Sequence, residues 1–148
     1  MRLTIDASVA VKWLVVEDRH ELARDVLRDE FVLTAPDLLL IEVANALRNK
    51  VRAKILDTAQ VKSAIDVLPR YFDRLVRPNE VLADAFDIAC RINHPVADCV
   101  YVACAQASGG PLLTDDESLY KKVKGIGADV RIEFSAHWKL GLPVRPGG

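Results

Sequence analysis

The stretch Arg2–Val16, RLTIDASVAVKWLVV, reads as a strand run directly into a helix. Arg2–Asp6 is a short apolar run rich in β-formers, and Ser8–Val16 follows it at once as an apolar helical run. The first strand therefore ends on a carboxylate, Asp6. Working outward, the same alternation repeats. His20–Glu30 has Leu22, Val26 and Leu27 on one face, a helix, and Phe31–Thr34 is a second strand stopped by Pro36. Asp37–Lys54 is a long helix, and Thr58–Phe72 another, opened by Asp57 or Thr58 and disturbed at Pro69. Arg74–Arg77 is a third strand, and Asn79 is expected to cap a helix over Glu80–Asn93. Asp98–Ala107 is an apolar helix behind Pro95. Pro111–Thr114, Glu117–Lys124 and Val130–Glu133 complete the series as strand, helix and strand. Strands separated by helices predict an α/β fold with a parallel sheet covered on both faces. Residues 1–140 form one domain, and Gly141–Gly148, GLPVRPGG, is a loose tail.

Composition narrows the function. The 148 residues suit one domain with a core of its own. Twenty basic and 21 acidic residues give a formal charge of −1, so bulk charge does not hold nucleic acid here. A nucleic-acid substrate would need local basic residues and a metal to offset the acidic ones. The hydrophobic share of 51% and the mean hydropathy of +0.12 leave apolar surface for an oligomer or partner. Cys90, Cys99 and Cys104 form no CxxC pair and read as small buried thiols in a reducing compartment. Asp6 and Lys12 interrupt any signal-like run, and no segment reaches the roughly 18 apolar residues of a membrane span. A cytosolic protein without a membrane role is expected.

The acidic residues stand where such a sheet binds ligands, beyond the carboxyl ends of its strands. Asp6 ends the first strand, Asp115 and Asp116 follow the fourth, and Asp98 opens the helix leading into it. On the long helix, Glu42, Asn45 and Asn49 fall within about 60° of one another, a polar stripe among Leu39, Leu40, Ile41, Val43 and Leu47. Taken singly, Asp98 and Asp116 read as helix caps, Asp6 as a strand end, and Glu42 as a buried acid with a basic partner. Taken together, they describe one cleft. Two carboxylates 4 Å apart repel by about 4 kcal/mol at an effective dielectric near 20. Mg²⁺, with Mn²⁺ as substitute, relieves that repulsion better than zinc does in an all-oxygen site. The matching reaction is phosphodiester hydrolysis by metal-activated water. Lys12 at the cleft mouth and Arg52 beside the stripe are candidates for phosphate contacts with a nucleic-acid substrate. His20, His94 and His137 lack ligand spacing and read as loop or surface residues, and no GxGxxG or P-loop is present.

Four blocks, IDASVAVKWL, PDLLLIEVANAL, VADCVYVACAQ and PLLTDDESLY, resemble in order and spacing those of PIN-domain ribonucleases, above all the VapC toxins of VapBC toxin–antitoxin pairs. The resemblance runs through nearly the whole chain. It implies a three-layer fold with a five-stranded parallel sheet in the order 3-2-1-4-5. It also implies that Asp6, Glu42, Asp98 and Asp116 are the catalytic metal-binding acids of an RNA-cleaving enzyme. Within Thr-x-Asp, Asp115 is the variable residue. Ser8, Asn45 and Thr114 match supporting polar positions. A homodimer is implied, inhibited by a VapB-like antitoxin that alone touches operator DNA.

Two other acidic α/β classes fit poorly. A receiver domain needs an acidic pair after the first strand and an aspartate after the third, where this chain has Arg77-Pro78. A haloacid-dehalogenase phosphatase needs Asp-x-Asp, and here Asp6-Ala7-Ser8 stands instead. The remaining alternative is a catalytically silent PIN-like binding or regulatory module.

Overall fold

A computed structural model describes residues 2–16, 20–28, 31–126 and 131–134 of the chain. The tail expected over 141–148, the end of the 1–140 domain and His137 lie outside the described residues. In chain order the elements are β1 (Arg2–Ile5), α1 (Ala7–Leu14), α2 (His20–Asp25), β2 (Val32–Pro36), α3 (Leu38–Arg52) and α4 (Thr58–Val67). They continue as β3 (Arg74–Val76), α5 (Leu82–Ile92), α6 (Val96–Ser108), β4 (Leu112–Thr114), α7 (Glu117–Gly125) and β5 (Ile132–Phe134).

The parallel core of the sheet has the order β3-β2-β1-β4, and β5 adds to β4, also parallel. The chain runs outward from β1 to β3 and then returns past both strands to β4. With this strand order, the right-handed rule for parallel crossovers assigns α1–α4 to one face and α5–α7 to the other. Leu3, Thr4 and Ile5 are all fully buried although successive strand residues point to opposite faces, so the sheet is covered on both. Between β1 and β4 the chain departs toward opposite faces, which opens a crevice at their carboxyl ends. Gly110 permits the close approach behind it: a Cβ there would lie 2.2 Å from the Arg2 carbonyl oxygen.

Side-chain caps explain the starts of α4 and α7. Asp57 and Gln60 form a reciprocal capping box at the start of α4. α6 is buried over every residue from Cys99 to Ala105, since it packs on β1 and β2 and also against α5. That accounts for an apolar helix with no polar face.

Several expectations need correction. Pro36 does not stop β2 but ends it inside the ladder, opposite Val76, a strand-end position where a missing N–H is tolerated. The helix expected to Phe72 gives way at Leu68 to a 3₁₀ turn containing Pro69. Asn79 does not cap α5, because Pro78 starts a 3₁₀ turn that absorbs it and leaves Val81 in the cap position. α6 begins at Val96, so Asp98 lies inside the first turn and is not a cap. Cys90 is exposed, on the side of α5 away from its buried Ala85, Ile88, Ala89 and Ile92, whereas Cys99 and Cys104 are buried as expected.

Candidate active site

Asp6 sits at the end of β1, where its backbone N–H donates to Leu113 O of β4 at 3.0 Å. It occupies the N-cap position of α1 without a side-chain capping bond. Its Oδ2 instead accepts from Ser8 Oγ at 2.6 Å and from Thr114 Oγ1 at 2.8 Å. Among the described residues, Oδ1 accepts no hydrogen bond. A hydroxyl has one proton, and both hydroxyls direct theirs at Asp6, so each is left as an acceptor. Ser8 Oγ then accepts from the Asp115 N–H at 2.9 Å, and Thr114 Oγ1 from the Asp116 N–H at 3.0 Å. Two hydroxyls thus clamp the carboxylate on one side and the β4–α7 turn on the other.

The electrostatics tie the acids together. Burial pushes the Asp6 carboxyl up to about 6, the two hydroxyl donors oppose that rise, and the charges of Asp98 and Glu42 add to it. Glu42 is half-buried on α3, one turn into the helix. Its carboxyl is raised by burial and by Asp98, against the hydrogen bond donated by Tyr101. That bond, Tyr101 Oη to Glu42 Oε1, is 2.6 Å long, and Tyr101 is fully buried. Burial and the neighbouring acids hold the Tyr101 hydroxyl in its protonated, donating form.

Asp98 lies three residues before Tyr101 on α6, hence on the same face. Its Oδ2 is 2.8 Å from His94 Nε2. Asp116 caps α7 by accepting from the Leu119 N–H at 3.1 Å. One carboxylate oxygen of Asp116, one of Asp98 and one nitrogen of His94 lie within 4.8 Å of one another. Asp6, Glu42 and Asp98 therefore act on one another's charge, and Asp116 stands beside Asp98.

Other expected residues fall elsewhere. Lys12, a candidate RNA contact, is 6% exposed and pairs with Asp115 inside the protein, because α1 turns its side chain toward the β4–α7 turn. Arg52 is exposed at the end of α3. Asn45 is exposed and makes no hydrogen bond to the acids among the described residues. Sequence reasoning missed two contributors, Tyr101 and His94. Each had a readable signal in its spacing from Asp98, three residues after and four before.

Comparison with known proteins bears on the family and the fold. The family model of the PIN domain matches residues 3–125. The chain is 36% identical to "Ribonuclease VapC3" of Pyrobaculum aerophilum over 124 residues, covering 82% of this chain and 95% of that protein. It is 32% identical to "Ribonuclease VapC1" of Mycobacterium tuberculosis over 115 residues, covering 78% and 86%. Among solved structures it resembles VapBC2 from Rickettsia felis bound to a DNA fragment from its promoter. There the TM-score is 0.63 at 12% identity, with 90% of this chain and 98% of that one covered.

Proposed function

The chain belongs to the PIN-domain family and is homologous to the VapC ribonucleases, and on that footing we propose that it is the toxin of a toxin–antitoxin pair, hydrolysing RNA phosphodiester bonds in the cleft between β1 and β4. The observation that carries the reading is the condition of Asp6. Its carboxylate is nearly buried, clamped through one oxygen by Ser8 and Thr114, and raised first by that burial and further by the charges of two other acids. Such a group needs a counter-charge, and no lysine or arginine among the described residues pairs with it.

A hard divalent cation fits that need, since Asp6, Glu42, Asp98 and Asp116 offer only oxygen. We assign these four to hold Mg²⁺, with Mn²⁺ able to replace it. When bound, the ion supplies Lewis acidity at the phosphate and a nucleophilic water. The protein's own part is to arrange the carboxylates beforehand. Ser8 and Thr114 fix Asp6, and Tyr101 fixes Glu42, so little reorganisation accompanies RNA binding. Asp115 is neutralised by Lys12, which leaves Asp116 as the acid of that turn directed to the cation. Arg52 lies about 15 Å along α3 from Glu42, suited to an RNA phosphate beyond the scissile one.

A VapB-like antitoxin is the partner we infer, supported by the likeness to VapBC2; operator DNA would be met only through it. Ile41, Ile55, Leu82 and Phe86 are large apolar residues left exposed, surface suited to an antitoxin or to the second copy of a homodimer. Among the described residues no helix is long and apolar enough to cross a membrane, and from the proposed RNA substrate we infer that the chain acts in the cytoplasm.

The test is RNA cleavage by the purified chain with Mn²⁺, with chelator, and as Asp6→Asn. Cleavage lost in the last two is expected, together with growth arrest by the wild type that co-expression of an adjacent small gene relieves. A folded, Mn²⁺-binding chain that cuts no RNA would instead be a silent binding module.

A further inference from the structure

His94 touches the acidic cluster from outside the four family positions. Its Nε2 lies 2.8 Å from Asp98 Oδ2, and its side chain is far more buried than that of Asp98, 8% against 32% exposed. On the other side of the ring, Lys122 Nζ lies 3.1 Å from Nδ1 and 2.9 Å from the Asn93 carbonyl oxygen. An ammonium donates and has no lone pair, so Nδ1 accepts and the ring proton sits on Nε2. That proton is donated to Asp98. In this tautomer Nε2 has no lone pair for a cation, despite its place in the cluster with Asp98 and Asp116.

The local chain explains the arrangement. Asn93 ends α5 in the left-handed conformation, φ 52°, and His94 and Pro95 bridge to α6. His94 therefore stands just before the helix turn that carries Asp98. Lys122 comes from α7, the helix that Asp116 caps. The chain Lys122–His94–Asp98 thus joins the two elements that present Asp98 and Asp116.

We propose that His94, held in one tautomer by Lys122, is a positioning residue that fixes the Asp98 carboxylate for a divalent cation and does not itself ligate it. The proposal rests on the metal-site reading given above. Hydrogen-bond partners of metal-binding side chains change metal affinity by about 10–100-fold when removed.

The test is Mn²⁺ titration calorimetry on the purified full chain, with cleavage measured at low and at saturating Mn²⁺. His94→Leu should weaken Mn²⁺ binding about tenfold, and much of its cleavage should return at saturating Mn²⁺. His94→Gln, whose amide can still donate to Asp98, should stay within about threefold of the wild type. Lys122→Met should weaken binding, whereas Lys121→Met, which removes the same charge from a residue paired with Glu117, should not. Equal binding by the wild type and a folded His94→Leu overturns the proposal. So does a Gln variant as weak as the Leu variant, which would make His94 a ligand. If His94→Leu does not fold, the Gln and Lys122 variants decide. A wild-type chain that binds no Mn²⁺ overturns the metal-site reading itself.

Discussion

Thr114 donates its hydroxyl proton to Asp6 across 2.8 Å, joining residues 108 positions apart in the chain. The contact follows from the sheet order. β1 and β4 are neighbours, Ile5 pairs with Leu113, and the next residue on each strand is Asp6 and Thr114. A carboxylate and a hydroxyl donor thus meet at the switch point by register alone. Ser8, two residues along α1, adds the second donor to the same oxygen. The acid that burial most disfavours is thereby the one most firmly held.

That acid makes stability depend on pH in a defined sense. Asp6 is raised from 3.8 to about 6 in the folded chain, so between those values the native state binds more protons than the unfolded state. Stability then falls as pH rises through this window, by about 3 kcal/mol from this group. In chelator, Asp6→Asn should gain on the wild type by that amount between pH 4 and pH 7, while differing little at pH 4. Added Mn²⁺ should stabilise the wild type more than the variant. Denaturant unfolding at four or five pH values checks both. A wild-type–variant difference that does not change with pH would mean that Asp6 is not raised.

Asp115 and Asp116 are adjacent but should fail in different ways. Asp115 pairs with Lys12 inside the protein, and Asp115→Asn leaves an uncompensated buried ammonium, a loss of about 3–5 kcal/mol of stability. Asp116 is half-exposed beside Asp98. Asp116→Asn keeps an oxygen to cap α7 but lacks the charge, so stability should change by less than about 1 kcal/mol. Its cleavage rate should drop at least about tenfold, or roughly 1.4 kcal/mol of transition-state stabilisation. Melting temperature and initial rate at saturating Mn²⁺, measured on both variants, separate the two. Equal rates with unequal stabilities would remove Asp116 from the metal site.

The strand–helix alternation was legible because each apolar run was bounded by proline or by a charged residue, and the acids were legible because they fell at strand ends. Element boundaries were less so. Pro78 and Pro69 each diverted a helix into a 3₁₀ turn, a local choice that apolar spacing does not report. Lys12 read as a cation at the cleft mouth, and only the fold brings Asp115 to it from 103 residues away. Tyr101 and His94 were harder to read, although each stands at a helical spacing from Asp98. A tyrosine in an apolar helix reads as core, and a histidine without ligand spacing reads as loop or surface, until Glu42 and Lys122 arrive from other elements.

Tyr101 gives the last prediction. Its ring is fully buried on α6, and its hydroxyl reaches Glu42 Oε1 at 2.6 Å. Tyr101→Phe keeps the ring's packing and removes one donor, so the fold should survive with a loss of about 1–2 kcal/mol. The carboxylate bears the larger effect. The Tyr101 hydrogen bond holds the Glu42 carboxyl down against burial and the charge of Asp98. Without it the carboxyl rises further, and at a given acidic pH a greater share of the protein carries a protonated Glu42. A protonated acid holds a cation poorly. Cleavage at limiting Mn²⁺ should therefore fall more at the acid end of the profile than at pH 8, with the acidic limb of the pH–rate profile moved upward. Saturating Mn²⁺ should shift that limb back, because the cation competes with the proton for Glu42. The profile is measured for the wild type and Tyr101→Phe at two Mn²⁺ concentrations. A uniform rate loss at every pH and every Mn²⁺ concentration would show that Tyr101 supports packing and does not set the charge of Glu42.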